Sequence, residues 1–183
     1  MERNETETMQ EIQNIYTDVS EWLKFAEAKH AGLFAVWTAV LIAVMSIDGF
    51  FDKMTIVRSI VLLLISIGAL IDLISFVPFL NRLAFIKKLC FHKYHTYVGN
   101  SVFYQSIFID TYSEINLDES VKKYKAILAG KGLTFCNSEL EKDYLKQIIE
   151  VSTVGTIKVY LFGIATTYVF IILAIFMVVL IIA

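Results

Sequence analysis

Residues 159–183 contain no charged side chain, and this run limits the fold more than any other feature. A helix needs roughly 17–25 predominantly apolar residues to cross the hydrocarbon core of a bilayer. A helix that is apolar on every face over such a length does not suit the surface of a soluble domain. Two further windows meet the same length. Residues 31–47 carry no charge, and residues 59–80 carry one, Asp72, together with the chain's one proline, Pro78. The composition agrees: 57% of residues are hydrophobic and only 19% charged, against about 45–50% and about 25% in soluble domains. Mean hydropathy is +0.64. The expected fold is an all-α membrane protein with three transmembrane helices, a cytoplasmic helical stalk and a small, mostly helical cytoplasmic segment with room for one short strand. The divisions are an amphipathic helix over 1–30, spans over 31–47, 59–80 and 158–183, a turn over 48–58 and a cytoplasmic segment over 81–157.

Basic residues close to the spans set the orientation. Lys24, Lys29, Arg82, Lys87, Lys88, Lys93, Lys146 and Lys158 fall on one side of this layout, and only Lys53 and Arg58 on the other. The bias places the N-terminus and residues 81–157 in the cytoplasm, with the 48–58 turn and the C-terminal tip facing out. The acidic beginning (Glu2, Glu5, Glu7, Glu11) lacks the basic region of a secretory leader, so no cleavage is expected. A net charge of −2 gives no electrostatic footprint for nucleic acid.

Outside the spans, periodicity predicts helices. Ile12, Ile15, Val19, Trp22 and Ala26 alternate steps of three and four, the seam of a packed helix pair. No glycine or proline interrupts the chain from there until Gly32, so one helix from about Glu7 into the first span is expected. Leu140, Tyr144, Ile148 and Val151 form a matching stripe before the last span, and the two stripes should pack together. Phe79, Leu83, Ile86, Cys90, Tyr94 and Tyr97 make a third stripe. SVFYQSIFIDTY, residues 101–112, is rich in aromatic and β-branched residues and is the best strand candidate. Asn116 and Glu119 have the spacing of an N-cap pair. They open an expected helix from about Leu117 to Ala129, stopped by Gly130 and Gly132.

The chain shows no phosphate loop, nucleophile elbow or paired-cysteine motif, so no enzyme is expected. Cys90 and Cys136 are expected to be reduced thiols in a cytoplasmic segment. In CFHKYH, His92 and His95 share a helix face while Cys90 points elsewhere. Two ligands fall short of the four of a structural zinc site, and no metal is expected. Asp72 has two readings: an interior helix-contact or gating residue, or a carboxylate near the headgroups. Ala31, Ala35, Ala39 and Ala43 repeat every fourth residue beside Gly32. Small residues at that spacing let helix backbones approach closely in lipid. The stripe serves packing within the chain or self-association, and so small a membrane protein favours a homo-oligomer.

EWLKFAEAKHAG, residues 21–32, leads straight into the first span and resembles the entry motif of the Pycsar-type transmembrane effectors of bacterial anti-phage defence. The matching positions are Trp22, Phe25, Ala26, Glu27, Lys29 and Gly32, with glutamate at 27 where aspartate is more usual and an atypical His30. NSVFY at 100–104, Tyr124, and Gln147-Ile148 ahead of Lys158 follow in order. The resemblance implies a membrane effector in the bacterial inner membrane that responds to infection by impairing membrane integrity. It carries Trp22, Phe25, Glu27 and Lys29 over as a membrane-proximal collar. It also implies a cyclic pyrimidine nucleotide from a partner cyclase as the signal, although no run of short strands builds a separate nucleotide-binding domain. No cofactor is otherwise expected. The alternative is a membrane-anchored sensor or adaptor that recruits a soluble defence partner through residues 101–133.

Overall fold

No proline interrupts either end of the chain, and each end forms one long helix. The computed structural model describes residues 2–46, 55–76, 117–136 and 138–182. Over these residues it is all-helical, with no strand: α1 spans Glu2–Ser46, α2 Thr55–Ile74, α3 Leu117–Ala129 and α4 Glu139–Ile182. The chain divides into two compact units. The first holds Met1–Phe25 and Phe79–Lys158, the second Ala26–Pro78 and Val159–Ala183.

The first unit has an aliphatic core drawn from three helices. Ile12, Ile15 and Val19 of α1 meet Val121, Tyr124 and Leu128 of α3 and Leu145, Ile148 and Ile149 of α4. Each fully buried aliphatic side chain here contributes about 1.5–3 kcal/mol relative to exposure. Tyr16 and Tyr144 add an edge-on ring pair at 5.8 Å. The α3 helix opens on Asp118 and Glu119, whose charges favour a helix N-terminus. It ends where Gly132 adopts φ +96°, a left-handed conformation that suits glycine. Asp118 pairs with Lys146 at 3.0 Å, and Lys125 pairs with Glu141, so α3 and α4 run in opposite directions.

Tyr124 lies in this core at 2% exposure. Burial pushes its phenol above the ordinary tyrosine range, and its hydroxyl has no hydrogen-bond partner among the described residues. Folding thus favours the neutral phenol. The associated stability is fully present below the unfolded value of about 10 and drains away as pH rises through the higher folded value. Tyr124→Phe should be neutral to mildly stabilising at pH 7, within about 1 kcal/mol, and should flatten the alkaline loss. Thermal unfolding of both proteins at neutral and alkaline pH checks this; a marked drop in the variant's melting temperature at pH 7 would reveal a partner for the hydroxyl.

The second unit is built on a different seam. Leu33, Trp37 and Val44 of α1 pack with Val61 and Ile65 of α2 and with Ala165, Val169 and Ile172 of α4. Around this narrow core the outward faces are apolar: Ile42, Met45, Leu63, Leu70, Phe170 and Met177 are all exposed. In the most apolar window of each long helix only 22% is buried. A core helix of a soluble protein would be mostly covered, whereas lipid is a favourable neighbour for such a surface.

The structure corrects two expectations. Among the described residues, two helices rather than three are long and apolar enough to cross a membrane, because the apolar part of α2, Ser59–Ile74, is shorter. The helix gives way to a turn at Ser75 and Phe76, and residues 77–80 of the expected span lie outside the described residues. The strand expected over 101–112 and the stripe from Phe79 to Tyr97 also lie outside them. Leu140, expected on the inward stripe of α4, is 59% exposed, while the adjacent Glu141 is buried at 4%. A charge with a good partner displaced an apolar residue from the inward position.

Candidate functional site

Two ionisable side chains occupy inward positions of the second unit. On α1 the buried seam runs Ala26, His30, Leu33, Trp37, Val44, and on α2 it runs Val61, Ile65 and, two turns on, Asp72. His30 is 1% exposed and Asp72 0%. They meet across the two helices, with Nδ1 of His30 2.5 Å from Oδ1 of Asp72. With Asp72 ionised, the imidazole N–H donates and the carboxylate accepts. The Phe76 and Phe162 rings stand edge-on to the imidazole at 6.2 and 5.5 Å. Ser75 caps the end of α2, its Oγ donating to the Asp72 carbonyl at 2.6 Å. The second carboxylate oxygen, Oδ2, is buried with no hydrogen-bond partner among the described residues.

An ionisable side chain buried in an apolar helix bundle is costly unless it is paired. Asp72 and His30 partner each other, and the Phe76 and Phe162 rings border the imidazole. The arrangement holds two opposite-natured groups in a low-dielectric setting, where their attraction is strong and their separation is costly.

One turn from Asp72, α2 passes Trp37 at close range. A Cβ placed at Gly68 would lie 2.3 Å from Cη2 of Trp37. Trp37 leans on Tyr168 with ring centroids 5.9 Å apart, and the Tyr168 hydroxyl donates to the Leu64 carbonyl at 3.2 Å. Glycine at 68 is what lets this indole fit between α2 and α4.

The other expected site residues are spread along α1. Trp22 is half-buried in the first unit, its ring so close to Gly155 that a Cβ there would lie 2.1 Å from it. Phe25, in the same unit, is 57% exposed. Glu27 and Lys29 are exposed in the second unit, with the Lys29 ammonium 5.5 Å from the Phe162 ring centroid, a cation–π contact. Ala31, Ala35, Ala39 and Ala43 are all exposed. They lie on the side of α1 away from Leu33, Trp37 and Val44.

Sequence reasoning named Asp72 but not its partner. The signal was present: His30 and Asp72 each fall on the inward seam of their own helix, His30 where the uncharged stretch of α1 begins and Asp72 near the end of α2. A helical hairpin brings such positions to one level. Among the described residues no group of three His, Cys, Asp or Glu side chains is placed to hold a metal ion, and Cys90, His92 and His95 lie outside them.

The model of the Pycsar effector protein domain matches residues 11–183. Neither the curated proteins nor the solved structures give a match.

Proposed function

The chain belongs to the Pycsar effector protein domain family, and from that premise we propose that it is a non-enzymatic membrane effector of anti-phage defence that impairs inner-membrane integrity as a homo-oligomer. The geometric observation that carries the oligomer is the outward alanine track. Ala31, Ala35, Ala39 and Ala43 are exposed in the single chain, so packing within the second unit does not use them. A flat small-residue face on a lipid-exposed helix is what a second copy can approach closely. The bias of basic residues favours a cytoplasmic N-terminus and cytoplasmic 81–157 segment, with the C-terminal tip in the periplasm. Trp22, Phe25, Glu27 and Lys29 act as the membrane-proximal collar. The trigger is a cyclic pyrimidine nucleotide supplied by a partner cyclase.

Cells expressing the chain with a uridylate or cytidylate cyclase should take up propidium iodide and lose membrane potential; cells with either gene alone should do neither. Ala35→Leu with Ala39→Leu should cut dye uptake several-fold and reduce the cross-linked oligomer, because two bulky side chains hold the backbones apart. An intact potential in the presence of each cyclase would defeat the effector reading. Full activity in the double leucine variant would remove the alanine track from it.

A further inference from the structure

We infer that the His30–Asp72 pair is the latch of the membrane bundle: joined, it keeps the bundle dry, and drawing it apart is the step that opens the bundle to water. This inference rests on the effector reading above. The two groups sit on different helices, 42 positions apart in the chain, at 2.5 Å. Both are essentially inaccessible, and the rings of Phe76 and Phe162 border the imidazole. Moving α1 against α2 by a few ångströms breaks the contact and takes from the buried Asp72 carboxylate the partner it has in the closed bundle. An unpaired buried charge is far costlier than the pair, so the separated state is tolerable only if water enters with it. Separation and hydration are thus one event.

The pair is also poised rather than sealed. Oδ2 of Asp72 has no hydrogen-bond partner among the described residues, so part of the carboxylate's desolvation is uncompensated in the closed form, and hydration would relieve it. A purely structural clamp would be expected to satisfy both oxygens, since buried polar groups in stable cores nearly always are. The orphaned oxygen narrows the gap between closed and open states.

The test uses the full chain in cells with and without a pyrimidine cyclase, scored by propidium iodide uptake and by the amount of protein in the membrane fraction. Asp72→Leu and His30→Leu each remove one half of the pair and should raise uptake without any cyclase by about tenfold, within the range common for coupled two-state systems. The exchange H30D/D72H restores the pair and should return uptake to the wild-type level. H30L/D72L replaces both groups with apolar ones, folds without a buried charge, and should stay closed even with the cyclase. Single variants as tight as wild type without cyclase would overturn the latch. So would a double leucine variant that opens like wild type, which keeps the test decisive if a single variant fails to reach the membrane. A wild-type chain that stays closed with the cyclase sinks both readings; a wild type that opens beside either contrary variant sinks the latch alone.

Discussion

Glu141→Ala is expected to unfold the first unit or lower its stability by about 3 kcal/mol, the lower end of the range for breaking a buried pair. The carboxylate is 5% exposed and pairs with Lys125, which is 15% exposed. Its other oxygen accepts from the Cys136 amide at 3.0 Å, and Ser138 caps the same helix by accepting from the Glu141 amide at 3.2 Å. One side chain thus joins α3, the 130–138 connection and the start of α4. Removing it takes the Glu141 carboxylate from the Lys125 ammonium, which stays 5.3 Å from the Phe135 ring centroid, and that residual exposure and ring contact keep the cost at the lower end. Replacing both partners, Lys125→Met with Glu141→Leu, should cost much less than the single change, since no charge is left behind. Chemical unfolding of the purified protein would measure both. Equal losses in the single and double variants would mean that the ion pair is not what holds this corner.

The exposed pairs provide the contrast. Lys142 bonds Glu139 and holds that carboxyl below its usual range, and the bond to Asp118 raises Lys146. These groups lie in water, where ion pairs contribute little, so Lys142→Ala and Lys146→Ala should leave the unfolding midpoint nearly unchanged.

The second large effect belongs to Gly68→Ala, expected to cost the second unit about 1–3 kcal/mol by overpacking. The new methyl would sit 2.3 Å from two carbons of the Trp37 ring, well inside contact distance. The ring cannot easily swing aside: Trp37 is 2% exposed and lies in the cluster with Val61, Ile65 and Val169. Trimming the partner should help, so Trp37→Phe combined with Gly68→Ala should recover part of the loss. Gly163 is the control, since a Cβ there meets nothing within 4 Å and alanine favours a helix over glycine by about 1 kcal/mol. Melting temperatures in detergent would compare the variants. If Gly68→Ala melts with the wild type, the indole is not wedged against α2.

Much of the helical layout was legible from residue patterns. The seam Ile12, Ile15, Val19 was readable because steps of three and four select one helix face. The Leu117–Ala129 helix was bracketed by the spacing of Asn116 and Glu119 and by two glycines. The family was legible in residues 21–32. Other features were hidden because they depend on pairs distant in the chain. The rule that apolar residues turn inward favoured Leu140 over Glu141; only the position of Lys125 on α3 reverses it. Nothing local to Asp72 points to His30, since a carboxylate on an apolar stripe has the same pattern whether it is paired or near headgroups. Gly68 and Gly155 look like ordinary helical glycines until the indoles that need them are placed. The second window looked long enough to span because its apolar run continues beyond Ile74, whereas the helix stops where Ser75 bonds back to the Asp72 carbonyl.

The chain contains two tryptophans. Trp22 sits over Gly155 in the first unit and Trp37 over Gly68 in the second. Each unit therefore carries its own fluorophore, held against a helix backbone. Replacing either indole with phenylalanine leaves tryptophan emission from the other unit alone. The same spectrometer trace can then follow each half as it melts, with no label attached.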